Sequence, residues 1–215
     1  MSLARIAIAA RRVPPWTASA VEACAAVFAV LAILVASGAT RGLDLATIVL
    51  FQSVASYPLD LVANAHTLVG QLVVTLAIAA VLAAVIWRRY GGYAWLAPGL
   101  ILVTGAVELA FKLLVPHPSP PREFVRAFHN VLGIEGPPAS FPSGHVARIA
   151  FLAVIVAAIV PGRVSVIVAA TFIAASVFLR VYIGDHWISD AVAGAALGVG
   201  LGAVGAAWMR ATASR

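Results

Sequence analysis

The sequence is poor in charged residues and in cysteine, and both shortages exclude classes of protein. Charged residues make up 10% of the 215 positions, whereas hydrophobic residues make up 63%, a balance far outside the range of soluble domains. We therefore predict an integral membrane protein. The single cysteine, Cys24, cannot form an intrachain disulfide. Because there is neither a thiolate cluster nor a short His-x-x-x-His spacing, we expect no metal site and no cofactor.

Long apolar runs recur along the chain and set the predicted architecture. A helix needs about 20 apolar residues to cross about 30 Å of hydrocarbon. We place such spans near 18–37, 66–87, 94–115, 144–160, 164–182 and 187–208. The tryptophans fall at or near the ends of these spans, where indole rings anchor at the headgroup level. The sequence thus predicts an all-α, polytopic membrane protein with six transmembrane helices that form one domain, 1–215.

The distribution of positive charge predicts the topology. The net charge is +6, but the arginines lie in short loops rather than on one basic face, so we expect no nucleic-acid partner. Alternating loops place eight arginines on one side and six cations on the other, which makes the first side cytoplasmic. We expect a multi-pass protein of the plasma (inner) membrane. The six outer cations are Arg41, Lys112, Arg122, Arg126, Arg148 and Arg180, and we expect several of them to serve a site.

Two long segments between spans are predicted on the outer side. Residues 38–65 include the apolar run 45–54, which is too short to cross a bilayer and predicts an interfacial helix. Residues 116–142 contain seven prolines, so helix cannot persist there. Because the cytoplasmic turns are short, we expect function on the outer face. Arg11 and Arg12 precede an apolar stretch that is long for a cleavable signal peptide, so we expect a retained first helix.

Three polar clusters interrupt the apolar sequence, and alternating topology places all of them at the outer face. The first contains Lys112, near the end of span three. The second is the quartet Pro142-Ser143-Gly144-His145, at the start of span four. The third has Arg180 at the end of span five, and His186 and Asp190 at the start of span six.

The quartet has the features of an anion site. Ser143 lies where a helix N-cap is expected, and Gly144 allows a ligand to approach the backbone closely. The free amides of the first helical turn point at such a ligand, and the helix dipole favours negative charge there. His145 lies in the same turn, where it can donate a proton to the bound anion.

The third cluster supplies a nucleophile. His186 and Asp190 are four residues apart on a helix and therefore share a face. Asp190 can accept the Nδ1 proton of His186, which leaves Nε2 free to attack. Arg180 offers a planar fork suited to phosphate oxygens. With Lys112 as a second cation, this set predicts metal-independent phosphoryl transfer in which His186 attacks phosphorus and His145 protonates the leaving oxygen.

These three clusters, in this order and spacing, resemble the signature motifs of the type 2 phosphatidic acid phosphatase (PAP2) superfamily, in its membrane lipid phosphatase branch. The resemblance implies a six-helix bundle whose site opens to the extracytoplasmic side. It implies phosphate binding by Lys112, Ser143, Gly144 and Arg180. It also implies an acid role for His145, a nucleophile role for His186 and an orienting role for Asp190. The implied substrates are lipid phosphates or pyrophosphates: undecaprenyl pyrophosphate, phosphatidylglycerol phosphate or phosphatidic acid.

The sequence departs from the family pattern at two positions. Ser119 stands where the first motif has an arginine, and Leu179 precedes Arg180 where the third motif usually has serine. We predict that Arg122 replaces the missing arginine as a phosphate ligand. Two other functions stay open: a lipid phosphotransferase that uses the same phosphohistidine, and a phospholipid-binding or transport protein without turnover.

Several other residues carry weaker signals. His66, His117 and His129 have no polar companions, so we interpret them as loop or interface residues. Glu108 lies one turn before Lys112 and is expected to pair with it. Arg148 is expected to contact a headgroup or the phosphate, or only to fill the interface. Small residues recur every four positions in span six, at Gly194, Gly198 and Gly202. We expect them to pack against another span or against a second protomer in a homodimer.

Overall fold

The computed structural model describes residues 16–126 and 139–214, and these residues are almost entirely helical. The α-helices are α1 (Trp16–Ala36), α2 (Arg41–Gln52), α3 (Tyr57–Val69), α4 (Leu72–Tyr90), α5 (Ile101–Leu114), α6 (Gly144–Ile159), α7 (Arg163–Tyr182) and α8 (Ile188–Thr212). A 3₁₀ helix, Ala94–Leu100, leads directly into α5, and a second one covers Arg122–Phe124. The described ranges contain no β-strand, only an isolated bridge between Pro118 and Ala139. The predicted all-α fold is confirmed.

Within the described residues, five helical segments are long and apolar enough to cross a membrane. They are Ala18–Ala36, Leu72–Tyr90, Ala94–Leu114, Arg163–Tyr182 and Ile188–Thr212. The predicted fourth span corresponds to α6, which is apolar but only 16 residues long. At 1.5 Å per residue it covers about 24 Å, less than the full hydrocarbon core. The total of six spans therefore stays a prediction.

The second predicted span begins later than expected. We predicted it from 66, but α3 ends at Val69, and Gly70 and Gln71 separate it from α4. Gln71 has an extended backbone, with φ −65° and ψ 146°, which breaks the helix although the hydropathy continues. The segment before this span holds two helices, α2 and α3, rather than the single predicted one.

The centre of the bundle is the pair α6 and α8. Almost every side chain of the first half of α6 is buried, including the large ring of Phe151. The predicted strip of small residues on α8 lies against α6: any side chain at Gly194 would collide with the carbonyl of Ser143, and one at Gly198 with the carbonyl of Ala147. The strip therefore packs against another span of the same chain. The homodimer stays a prediction.

Candidate active site

Four helix ends meet at one end of the bundle and bring the three polar clusters together. Lys112 lies in the last turn of α5, and Arg180 in the last turn of α7. The helices α6 and α8 begin at the same end. The backbone N–H of Ser143 donates to the carbonyl of Asp190 at 3.0 Å, which fixes the start of α6 against the start of α8.

The start of α6 offers free hydrogen-bonding groups. Ser143 is the N-cap residue and is fully buried, yet its side chain makes no capping bond, and its Oγ has no hydrogen-bond partner among the described residues. The carboxylate of Glu108 lies close against Gly144, in the space that a Cβ would take. A side chain at 144 would therefore push this carboxylate away from the start of α6.

The ring of His145 packs against Gly70, where a side chain would collide with it. The Nε2 atom of His145 is buried and has no hydrogen-bond partner in the part of the chain that the structure describes. The break between α3 and α4 thus makes room for this ring, a contact that the sequence alone did not predict.

His186 is buried and held through its Nδ1 atom. Nδ1 lies 3.1 Å from the hydroxyl of Ser140 and 3.5 Å from Oδ2 of Asp190. The Ser140 hydroxyl also donates to Asp190 Oδ2, so it bridges the two side chains. Burial lowers the pKa of His186 below its ordinary value. The hydrogen bond to Asp190 raises the pKa, whereas the nearby charge of Arg180 lowers it, and the net direction is downward. The ring is therefore neutral near pH 7, with Nε2 left available.

Oδ1 of Asp190 has a neighbour that sequence reasoning did not place in the site. His117 lies in a loop, as predicted, but it is buried. Its Nε2 lies 3.5 Å from Asp190 Oδ1 and 3.9 Å from Asp44 Oδ2. Asp44 accepts hydrogen bonds from both the backbone N–H and the hydroxyl of Ser189, each at 3.0 Å. The interpretation of His117 as a residue without companions was wrong.

The loop that carries His117 is tied to the rest of the site. The backbone N–H of Ser140 donates to the carbonyl of His117 at 2.7 Å. The indole N–H of Trp187 donates to the carbonyl of Pro118 at 2.8 Å. These two bonds hold Ser140, which precedes α6, and Trp187, which precedes α8, against His117 and Pro118.

The two predicted cations of the site have different partners. Lys112 Nζ donates to the carbonyl of Ala139 at 2.9 Å and lies 3.9 Å from Glu108. Arg180 is buried and pairs with Asp185 at 2.7 Å, and it donates to the hydroxyl of Thr67 at 3.2 Å. The described residues offer no hydrogen-bond partner to Nε of Arg180.

The cation predicted to replace the missing arginine lies on the protein surface. Arg122 is exposed on the 3₁₀ helix Arg122–Phe124, and Ser119 is also exposed. Arg148, by contrast, is buried beside the start of α6. Its Nη1 lies 2.7 Å from Glu108, and its Nε donates to the carbonyl of Gly70 at 3.2 Å.

A second polar cluster lies at the same end of the bundle and stabilises it. Arg126 makes a bidentate pair with Asp60 at 2.7–2.8 Å, and the Tyr182 hydroxyl donates to the same carboxylate at 2.6 Å. The hydrogen bond from Arg126 lowers the pKa of Asp60. Gln52 ties α2 to this cluster through the carbonyls of Phe124 and Tyr182. These contacts hold the loop 122–126 against α3 and α7.

Of the two remaining histidines, the structure describes only His66. His66 belongs to α3 and shares a 3.0 Å hydrogen bond with Ser176. His129 lies outside the described residues. Across 16–126 and 139–214, no group of three or more His, Cys, Asp or Glu side chains is arranged to hold a metal ion. The arrangement instead offers cations, free amides and a neutral histidine, the groups that phosphoryl transfer without a metal requires.

The chain is similar to a known protein family. The family model described as PAP2 superfamily matches residues 92–213, more than half of the chain. This match includes all three polar clusters. No curated protein sequence matches the chain significantly.

Two solved structures share the fold. One is described as the first transmembrane PAP2 type phosphatidylglycerolphosphate phosphatase from Bacillus subtilis. It has 19% sequence identity and a TM-score of 0.72, and the match covers 86% of this chain and 93% of that one. The other is LpxE from Aquifex aeolicus, with 17% identity, a TM-score of 0.61, and 76% and 94% of the two chains covered.

Proposed function

Because this chain belongs to the PAP2 superfamily, we propose that it is a membrane phosphatase that hydrolyses a lipid phosphate or pyrophosphate. The observation that carries this proposal is that His186 and its buried partner Asp190 lie next to the N-terminus of α6. A protein that only binds an anion needs cations and amides, but it has no need of a histidine oriented by a carboxylate.

The geometry supports a mechanism with two displacements. Lys112, Arg180, Ser143 and the amide of Gly144 bind the phosphate oxygens. Nε2 of His186 attacks phosphorus while the bond from phosphorus to the lipid oxygen breaks, and His145 gives that oxygen a proton. Water then attacks the phosphohistidine, His145 takes its proton, and inorganic phosphate leaves. Asp190 and Ser140 hold His186 through Nδ1 in both steps.

An apolar groove supports a lipid as the substrate. It has a volume of about 700 Å³ and runs between α4, α6 and α7. Val69 and Ile149 line it, and Ile149 packs beside Gly70, the residue against which His145 also lies. A phosphate in the site could thus be joined to a tail in the groove. The substrates we propose are polyprenyl pyrophosphate, phosphatidylglycerol phosphate and phosphatidic acid, the second in common with the substrate named for the Bacillus protein.

The positions of the outer cations support a site that faces the extracytoplasmic side of the plasma membrane. Three of the six lie at the site: Lys112, Arg148 and Arg180. A fourth, Arg126, is paired with Asp60. These four cations lie at the site or pair with a carboxylate, so the positive-inside rule need not count them. The comparison is then between two outer cations, Arg41 and Arg122, and eight arginines on the cytoplasmic side.

The first experiment measures phosphate release by the detergent-purified protein from a panel of lipid phosphates and pyrophosphates, with a chelator present. The proposal expects release from at least one lipid and its loss in His186→Ala, while Arg41→Ala, on the exposed surface of α2, retains it. If labelled phosphate goes to a lipid acceptor instead of water, the protein is a transferase. If wild type binds the lipids but turns none over, it is a binding protein.

A further inference from the structure

The carboxylate of Glu108 lies beside the start of α6, the place where an anion is expected. It lies against Gly144, at the open end of the helix. Oε2 lies 2.7 Å from Nη1 of Arg148, and Oε1 lies 3.9 Å from Nζ of Lys112. One carboxylate thus touches the glycine of the second motif and connects the lysine of the first motif to a buried arginine.

Buried polar atoms at this end of the bundle could bind a larger anion than a carboxylate. Ser143 Oγ and His145 Nε2, on either side of Gly144, are buried and have no hydrogen-bond partner within 16–126 and 139–214, and the same is true of Arg180 Nε. Buried polar atoms without partners are costly and rare. A carboxylate has two oxygens and one negative charge, whereas a phosphate has more oxygens and more charge to satisfy these donors.

The guanidinium of Arg148 is positioned to bind an anion beside Gly144. It follows Gly144 by four residues, one helical turn, so its side chain lies on the same face of α6. Its Nε is fixed by the carbonyl of Gly70, and its side chain is only 8% exposed. Arg122, in contrast, is exposed on a loop.

We propose that Arg148 is the second guanidinium that binds the substrate phosphate, in place of the arginine that Ser119 replaces in the first motif. In this proposal Glu108 is an internal competitor. It neutralises Arg148 and Lys112 while the site is empty, and the substrate phosphate displaces it. The proposal rests on the proposed function, because it assigns a phosphate to this site.

The test is equilibrium binding of inorganic orthovanadate, a phosphate analogue, to the detergent-purified full chain. Arg148→Gln should weaken binding by about tenfold or more, the effect of losing one charge-assisted hydrogen bond. Glu108→Gln should tighten binding by about tenfold, because the competitor loses its charge while its shape is kept. Arg122→Gln should leave the affinity within twofold of wild type, as should Arg41→Gln, the exposed control.

Two further variants show whether a loss of vanadate binding comes from misfolding. Arg148→Lys keeps the charge, and the double variant Glu108→Gln with Arg148→Gln leaves no unpaired buried charge. Both should fold, as judged by thermal unfolding, and the double variant should bind vanadate more weakly than Glu108→Gln alone.

Two results would overturn the inference. In one, Glu108→Gln binds vanadate no better than wild type, so Glu108 is only a structural partner of Arg148. In the other, Arg122→Gln weakens binding while the folded Arg148 variants do not. Either result leaves lipid hydrolysis by the wild type intact. Failure of the proposed function appears separately, as a wild-type protein that binds vanadate but releases no phosphate from any lipid of the panel.

Discussion

Replacing Gly194 by alanine should separate the two helices that form the site. Gly194 lies one turn after Asp190 on α8, and a methyl group there would overlap the carbonyl of Ser143. Carbon and oxygen need about 3.5 Å between them, so α8 would have to withdraw from α6 by about 1 Å. That movement would lengthen the 3.0 Å bond between Ser143 and Asp190 and carry His186 away from the phosphate position.

The size of the effect follows from two opposing contributions. Alanine is favoured over glycine inside a helix by about 0.5–1 kcal/mol, whereas overpacking costs about 1–3 kcal/mol. The variant should therefore be destabilised by about 1–2 kcal/mol. A misplacement of about 1 Å at a reacting group lowers activity by about a hundredfold, so kcat/KM should fall far more than stability alone explains.

Gly105→Ala is the matched control. Gly105 lies inside α5, the helix that carries Lys112, and a methyl group there meets nothing within 4 Å. This variant should be at least as stable as wild type and fully active. The assays are thermal unfolding in detergent and kcat/KM for the lipid that wild type hydrolyses fastest. A Gly194→Ala protein within twofold of wild-type activity would refute the reasoning, because the contact between α6 and α8 would then not position the site.

Three further predictions follow from the contacts of the site. His117→Asn should lower kcat/KM by about tenfold, because Asp190 loses its buried neighbour; unchanged kinetics would limit His117 to holding its loop. Burial lowers the pKa of His186 below 6.5, so the ring stays neutral to lower pH and the acid limb of kcat/KM should lie below pH 6.5; an acid limb above pH 7 would contradict this assignment. The pKa of Asp60 is lowered by Arg126, so their contact stabilises at neutral pH and is lost in acid. Asp60→Asn should accordingly reduce Tm at pH 7, with the gap to wild type closing in strong acid; a gap that does not change with pH would count against the ion pair.

The sequence predicted the parts of the site that short motifs carry. Ser143, Gly144 and His145 are consecutive at a helix start, and His186 and Asp190 are one turn apart, so local geometry places them. Alternating spans then placed Lys112 and Arg180 at the same end of the bundle. The glycine strip of α8 was predictable for the same reason, since its spacing defines one face of one helix.

What the sequence could not predict depends on contacts between distant segments. His117 lies between Asp44 and Asp190, which are more than 70 residues away on either side. Ser140 bridges His186 and Asp190 from a loop, and no motif distinguishes it from other serines. The break at Gly70 was missed because hydropathy continues across it. Its physical reason is tertiary: the ring of His145 occupies the space of a side chain there.

The central claim is that His186 carries the phosphoryl group, and trapping of the phosphorylated protein tests it most directly. Wild type and His186→Ala are mixed with the preferred lipid labelled in its phosphate, and samples are quenched in alkali, in which phosphohistidine survives, during the first turnover. The account predicts label on His186 of wild type that rises before free phosphate appears, and none on the variant. Free phosphate released in the first turnover without any labelled protein would contradict it.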